Sequence, residues 1–332
     1  MTQEFFCIMG IGMKELAALA GVSQTTVSLV LNGKADGRIA RVKQERVREL
    51  VKQYNYRPNL SARSLRERKQ YTIGVCMPMP VNTGYSDMLS QVQEKLAERG
   101  YTALFSFWKN ADEIEKAFES IFQHNVGGII AWDYHECLER EKIPAVIFES
   151  ALPDFDAVLL DYEYSSKLTV EYLVRQGHRE IGYLGRLQDS RSECLRRELI
   201  QAGLPVREEW FIPAMGTLHG GSEAMPQFLS LNERPTALVA QNDAVAAAAV
   251  FHAVRAGIRV PEDLSVIGFD NTATAAFTLP PLTSFDIHTS ALTDALVDLL
   301  MQRLNHPDLT VQHCRIQPEL IIRESVGFKY EI

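Results

Sequence analysis

The sequence predicts an α/β protein: an N-terminal bundle of three short helices, followed by a body of two α/β subdomains with parallel sheets. Three observations predict it. Residues 13–31 read as two short amphipathic helices hinged on a glycine. From Tyr71 onward, short apolar runs alternate with amphipathic helical stretches. The chain has 332 residues, 46% of them hydrophobic, which is more than a single core takes up, so more than one domain is expected.

In "MKELAALAGVSQTTVSLVL" the pattern is that of a helix-turn-helix. Small Ala17 lets the second helix approach the first, Gly21 takes the left-handed turn without steric cost, and Val27 clamps the pair. Ser23 stands where its side chain can cap the second helix. At about 100° per residue, Thr26, Val27, Val30 and Leu31 share a packing face. Gln24, Thr25, Ser28 and Leu29 share the opposite face, polar or small enough to reach base edges in a DNA groove. A third helix is predicted from about Arg41 to Asn55, with Val47, Leu50, Val51 and Tyr54 as its apolar stripe and Arg57-Pro58 as its stop. Ala40, at the cap of that helix, offers no side-chain acceptor. The segment "NLSARSLRERKQ" is too polar to fold alone; it has helix propensity and a capping Asn59.

Charge is divided unevenly. Residues 1–70 hold thirteen basic and six acidic side chains, +7, which leaves −15 of the total −8 for the remainder. A head that neutralises phosphates and a body repelled by them fit that division. Cys7, Cys76, Cys137, Cys194 and Cys314 are scattered without metal or redox spacing, so reduced cytosolic thiols are expected. No two-histidine metal motif, glycine-rich phosphate loop or nucleophile elbow is present, and the reading is of a protein that is not an enzyme and needs no cofactor. The first dozen residues lack a basic n-region and a long apolar run, which predicts neither export nor membrane insertion.

In the body, "TIGVCMP", "ALFSF", "VGGIIAW", "AVIFE", "AVLLD", "EIGYLG", "TALVAQ" and "LSVIGFD" are the predicted strands. Ser86–Arg99, Asp112–His124, Ser165–Gln176 and Ala244–Ala256 are the predicted helices between them. Continuous apolar strands alternating with helices predict parallel sheets covered on both faces. Ligands of such sheets bind beyond the carboxyl ends of the strands.

The stretches "MKELAALAGVSQTTVSLVLNG", "YRPNLSARSLR", "YTIGV", "YLVRQGHREIGYLG", "PTALVAQNDAVAAAAVFHAVRAGIRVPEDLSVIGFDN" and "LPPLTSF" resemble, in order and spacing, the lactose-repressor (LacI/GalR) family of bacterial transcription regulators. The resemblance covers nearly the whole chain. It implies a helix-turn-helix domain at 10–57, a hinge helix at 58–70 and a two-lobed periplasmic-binding-protein-like (Rossmann-like) effector domain at 71–327. The N-lobe would take about 71–160 and 288–316, and the C-lobe about 161–287 and 317–327.

By this resemblance Gln24, Thr25, Ser28, Leu29 and Asn32 contact DNA from the recognition helix, and Asn59, Ala62, Arg63 and Leu65 from the hinge. Leu65 would wedge into the minor groove at a central CG step, and Ala62 would pack against the partner hinge. Many relatives carry arginine where this chain has Leu29, which implies an apolar contact and a different half-site. The resemblance also implies a small-molecule effector, a sugar or derivative, held by Arg191 and Asp270 with Glu149 and Asn242 orienting further hydroxyls. Tyr85 and Trp132, at the ends of the first and third strands, would stack on its apolar face. Cys194 replaces the usual glycine after Arg191, and "GRLQDS" lacks the usual glycine pair.

The expected protein is therefore an allosteric repressor in the cytoplasm, associated with the nucleoid, acting as a homodimer on a near-palindromic double-stranded operator, with no membrane partner. No heptad repeat follows Arg323, which favours a dimer over a tetramer. The alternative is a two-lobed sugar-binding or sensing protein without a DNA-regulatory role, which would need an export signal and no basic head.

Overall fold

A computed structural model describes residues 11–56, 69–79 and 83–329. By contact the chain divides into two compact units, Met1–Lys69 and Gln70–Ile332. The predicted Asn59, Ala62, Arg63 and Leu65 lie outside the described residues.

The first unit holds α1 (Met13–Ala20), α2 (Gln24–Leu31) and α3 (Arg41–Gln53). Glu15 accepts from the Gly12 N–H at 3.0 Å and closes the start of α1. Gly21 ends that helix at φ 61°, where the Gly21 and Val22 N–H groups donate to Ala18 and Ala17. The Ser23 hydroxyl accepts from the Thr26 N–H at 3.1 Å, so the second helix is capped as its serine predicts. Leu16, Ala17, Val27, Val30, Val47, Leu50 and Tyr56 form the core. Gln44 is buried among them, donating to the Ile39 carbonyl at 2.9 Å and the Ala35 carbonyl at 3.3 Å, which pins the loop between α2 and α3.

The third helix departs from the predicted end. It stops at Gln53, with Asn55 in the left-handed region at φ 46° and the Tyr56 N–H returning to Val51 at 2.9 Å. The turn thereby swings Tyr54 outward, 39% exposed, and places Tyr56 in the core instead. Ala40 makes no side-chain cap, as expected.

The second unit is built on two six-stranded sheets. The N-lobe sheet runs β11-β5-β4-β3-β1-β2, all parallel, from β1 (Thr72–Pro78), β2 (Thr102–Trp108), β3 (Gly128–Ala131), β4 (Ala145–Phe148), β5 (Asp156–Leu160) and β11 (His313–Ile316). The C-lobe sheet runs β12-β10-β9-β8-β6-β7, from β6 (Ile181–Gly185), β7 (Phe211–Pro213), β8 (Ala237–Ala240), β9 (Ser265–Phe269), β10 (Thr283–Asp286) and β12 (Glu319–Ile321). Its one antiparallel pair is β10 with β12, Phe285 opposite Leu320. Strands β1, β3, β4, β5, β6 and β9 are buried almost throughout, as sheets covered on both faces require.

Helices α4 (Thr83–Glu98), α5 (Ile114–Phe122), α6 (Cys137–Glu141) and α12 (Thr289–Asn305) cover the N-lobe sheet. Helices α7 (Tyr162–Arg175), α8 (Ser190–Gln201), α9 (Leu218–Leu229), α10 (Asp243–Arg255) and α11 (Ala273–Phe277) cover the C-lobe sheet. The chain passes between the sheets three times, after Leu160, after Asp286 and after Ile316. In the N-lobe Arg303 of α12 reaches the buried Asp156 of β5 with two bonds, 2.8 and 2.9 Å.

Candidate functional site

Two separate surfaces carry the predicted site residues. On α2, Gln24 and Thr25 are exposed, Ser28 and Leu29 half-buried, and Val27 and Val30 turn into the core. The predicted division of faces is present, except that Thr26 serves the cap, its hydroxyl 3.0 Å from that of Ser23. Asn32 closes the helix. Its side-chain amide folds back to the Ser28 carbonyl at 2.8 Å and the Ser28 hydroxyl at 3.3 Å. Gln24, Thr25, Ser28 and Leu29 thus present a small, uncharged face with hydroxyl, amide and methyl groups, a set suited to base edges and thymine methyls.

In the second unit the predicted effector residues meet at the carboxyl ends of the strands. Glu149 follows β4 at φ 71° and Asp270 follows β9 at φ 94°; both hold left-handed backbone that costs about 1–3 kcal/mol in a non-glycine residue. Such strain turns a side chain out of the strand direction. Arg191, in the first turn of α8, is the hub. Its guanidinium donates to the Gln241 carbonyl and, at 3.1 Å, to the Tyr162 hydroxyl, and stands 3.7 Å from Glu149. It lies over the rings of Phe269 (4.5 Å) and Tyr162 (5.0 Å). The Tyr162 hydroxyl in turn donates to Glu149. Glu149 extends from the N-lobe sheet and Arg191 from the C-lobe, so this triad joins the two lobes.

Asp270 has no side-chain hydrogen bond among the described residues. Burial lifts its carboxyl to about 6, against the pull of Arg191, and Glu149 adds to the lift. Burial works against the Arg191 charge, but Tyr162, Asp270 and Glu149 outweigh it and hold the guanidinium protonated.

Tyr85 lies in the first turn of α4 rather than at the end of β1, because the helix begins at Thr83. Its ring meets Trp132 edge-on at 5.2 Å, and Trp132 meets Phe148 edge-on at 4.4 Å. Trp132 is only 7% exposed, so Tyr85 forms the aromatic wall and Trp132 backs it. Burial and the nearby Glu149 raise the Tyr85 phenol, which keeps it a neutral donor. Asn242 caps α10: its side-chain oxygen accepts from the Val245 N–H at 3.0 Å and its amide donates to the Gly216 carbonyl at 2.9 Å. One N–H is left to it.

Three residues of the site went unnamed at the sequence level: Tyr162, Phe269 and Gln241. Tyr162 directly follows Asp161, whose carboxylate caps α7 by accepting from the Tyr164 N–H at 3.0 Å. An Asp between a strand and a helical run, placed to accept from the N–H three residues on, was the available signal.

Behind the site stands Asp243, 1% exposed, which accepts from the Thr272 N–H at 2.6 Å, the Thr272 hydroxyl at 3.0 Å and the Ser284 hydroxyl at 2.5 Å. It packs where a Cβ on Gly268 would stand, 2.3 Å from its oxygen. Burial pushes this carboxyl to about 7, against the hydrogen bonds it accepts. Both acids therefore have folded values above the unfolded 3.8. Their contribution to stability is complete below that value and is lost as pH rises through about 6 and about 7. Melting temperature is expected to fall between about pH 4 and pH 7, and Asp243→Asn to flatten that fall. An unchanged slope in the variant would show that Asp243 does not titrate in this range.

From Asp270 a polar chain leads to the crossovers. The Asn271 amide donates to Asp286 at 3.0 Å, Arg323 donates to Asn271 at 2.6 Å, and Asp286 accepts from the His288 N–H at 2.7 Å. The residue beside the open carboxylate is thus tied to the chain between β10 and α12, where the lobes join.

The family model described as bacterial regulatory proteins, lacI family, matches residues 12–59, and that described as a periplasmic binding protein-like domain matches 170–326. The chain is 30% identical over 329 residues to the HTH-type transcriptional repressor PurR of Mannheimia succiniciproducens, covering 95% of this chain and 98% of the relative. It is equally 30% identical over 328 residues to the ribose operon repressor of Escherichia coli K12, covering 94% and 99%. The solved lac repressor dimer bound to operator and the anti-inducer ONPF shares the fold, with a TM-score of 0.82 at 23% identity over 96% of this chain and 99% of that one. With a helix-turn-helix head, a two-lobed α/β body and relatives of this identity along almost its whole length, the chain belongs to the lacI family of bacterial regulatory proteins.

Proposed function

We propose that this regulator is a repressor whose α2 reads each half of a near-palindromic operator, and that a small polar metabolite, a sugar or sugar derivative, sets its affinity for DNA from the Arg191–Asp270 cleft. The observation that carries the effector half is the grouping of Arg191, Glu149 and Asp270 at opposed strand ends between aromatic walls. A guanidinium fork and carboxylates bind vicinal hydroxyls with two bonds each, and rings cover the apolar sugar face. The polar chain from Asn271 to Asp286 and Arg323 offers a route from ligand to lobe angle. By linkage, operator and effector change each other's affinity by the same factor. The same reading makes the protein a non-enzyme of the cytoplasm, resident at the nucleoid; no helix among the described residues is long and apolar enough to cross a membrane.

A homodimer follows from the same reading, since two heads are needed for a two-fold site. Support comes from an apolar stripe on α10, Ala244, Ala247, Phe251 and Val254, of which Phe251 is 54% and Val254 52% exposed. Helix α11 touches α10, and at its end Phe277 and Leu279 are 88% and 87% exposed. Phe251→Glu is expected to shift the protein to monomer in sedimentation and to weaken operator binding at least tenfold; an intact dimer would move the interface elsewhere.

Operator selection from a random duplex pool tests the DNA half. Gln24→Ala and Thr25→Ala should change the selected half-site while leaving the melting of the second unit alone. Identical selected sequences would remove α2 from base reading. A melting screen of the full chain against carbohydrates and nucleosides tests the effector half.

A further inference from the structure

Beneath the Arg191 cleft, between α7, α8 and the C-lobe sheet, lies a small cavity with room for about two waters or a hydroxymethyl group. Tyr162, Arg191 and Phe269, the residues that stack in the cleft, form one side of it. Ser166 and Thr169 of α7 and Tyr183 of β6 line it with hydroxyls, and the remaining walls are mostly aliphatic or aromatic.

Two of these hydroxyls make no hydrogen bond among the described residues, and the third keeps its acceptor capacity. Tyr183 is 1% exposed, and its hydroxyl has no hydrogen-bond partner among the described residues. The hydroxyl sits under the end of β6, since a Cβ on Gly185 would stand 2.8 Å from it. Ser166 is 7% exposed and its side chain also makes no hydrogen bond among the described residues. Thr169 donates to the Ser165 carbonyl at 2.8 Å and keeps its acceptor lone pairs. Leaving a buried hydroxyl unpaired costs about 1–3 kcal/mol, which a cavity lined only for packing has no reason to bear. A buried phenol at a strand's carboxyl end, facing a hydroxyl-lined space that shares its wall with the cleft, is the geometry of a binding compartment.

We propose that this cavity is an inner compartment of the effector site, entered past Arg191, and that it receives an uncharged, hydroxyl-bearing arm of the ligand. The proposal rests on the cleft being the effector site. Its chemistry follows from the lining: Arg191 at the mouth is the single charged group, already engaged by Tyr162 and Gln241. The inner groups are neutral and can both donate and accept. A hydroxymethyl or ring hydroxyl satisfies them; a carboxylate or ammonium would enter a low-dielectric space without a counter-charge.

Two measurements test this. A high-resolution crystal structure of the ligand-free full chain should show ordered water bonded to the Tyr183 and Ser166 hydroxyls, continuous with the cleft. A dry, closed cavity overturns the proposal. Calorimetric titration with D-ribose, D-glucose and cellobiose should then show at least a tenfold affinity loss in Ser166→Leu, which fills the compartment, for whichever sugar binds the wild type. Tyr183→Phe, which keeps the volume, should lose several-fold for the same sugar. Operator binding without sugar should be unchanged in both. Wild-type sugar affinity in both variants overturns the proposal. Were none of the three sugars to bind the wild type, the sugar reading of the cleft would fall, and the water structure alone would decide the compartment.

Discussion

Replacing Asp270 by alanine is expected to erase the rise in melting temperature that the effector gives the wild-type protein, while operator binding without effector persists. Asp270 ends β9 with a left-handed backbone, stands beside Arg191, and offers a carboxylate that nothing among the described residues occupies. Two hydroxyls bound to an ionised carboxylate contribute roughly 1.5–3 kcal/mol each, so the affinity loss should exceed a hundredfold. Because burial lifts this carboxyl to about 6, effector affinity of the wild type should also fall as pH drops through that value, where protonation removes an acceptor. Asp270→Asn should bind weakly and without that pH dependence. A shift of wild-type size in the alanine variant, or pH-independent wild-type affinity, takes Asp270 out of the contact set.

Arg303→Ala should cost the second unit about 3–5 kcal/mol in urea denaturation, because it strands a buried carboxylate. Asp156 is 2% exposed and receives both bonds from Arg303 and one from the Gln312 N–H at 2.8 Å. The same guanidinium donates to the Pro307, Leu309 and Thr310 carbonyls, so it also holds the turn between α12 and β11. Arg303→Lys, which cannot make the fork, should recover only part. Pairing Arg303→Leu with Asp156→Leu should be milder than Arg303→Ala alone, since no charge is then left buried. A loss below about 1 kcal/mol in the alanine variant would place this pair with ordinary surface ion pairs.

The head was legible almost residue by residue, because its rules are local: a glycine at φ 61°, a capping serine, apolar residues three and four apart. Thr26, predicted to pack, serves the cap instead, and the end of α3 was misread where Asn55 substituted a left-handed turn for the proline stop. In the body, central strands were visible as continuous apolar runs. Strands β7, β10, β11 and β12 were not. They are three or four residues long at or near sheet edges, and the alternating burial of His313–Ile316 reads as polar coil.

The site divides in the same way. Glu149 and Asp270 are polar residues ending apolar strands, which is a sequence signal. Tyr162 and Phe269 look like ordinary core residues, and only the approach of α7, α8 and β9 reveals that both rings lie against a guanidinium. Asn242, whose place in the motif suggested a ligand contact, also caps α10 with its side-chain oxygen and donates one amide N–H to Gly216.

The threefold passage of the backbone between sheets has a consequence for synthesis. The N-lobe lacks its edge strand until His313–Ile316 has been made, and the C-lobe lacks its antiparallel edge until Glu319–Ile321 follows. On the ribosome, then, the small DNA-reading head can mature early, while both halves of the sensor must wait for residues 313–321 and complete together. A message cut short before His313 would yield a head able to fold attached to two unfinished sheets, and such a fragment would expose unpaired strand edges rather than a working receptor.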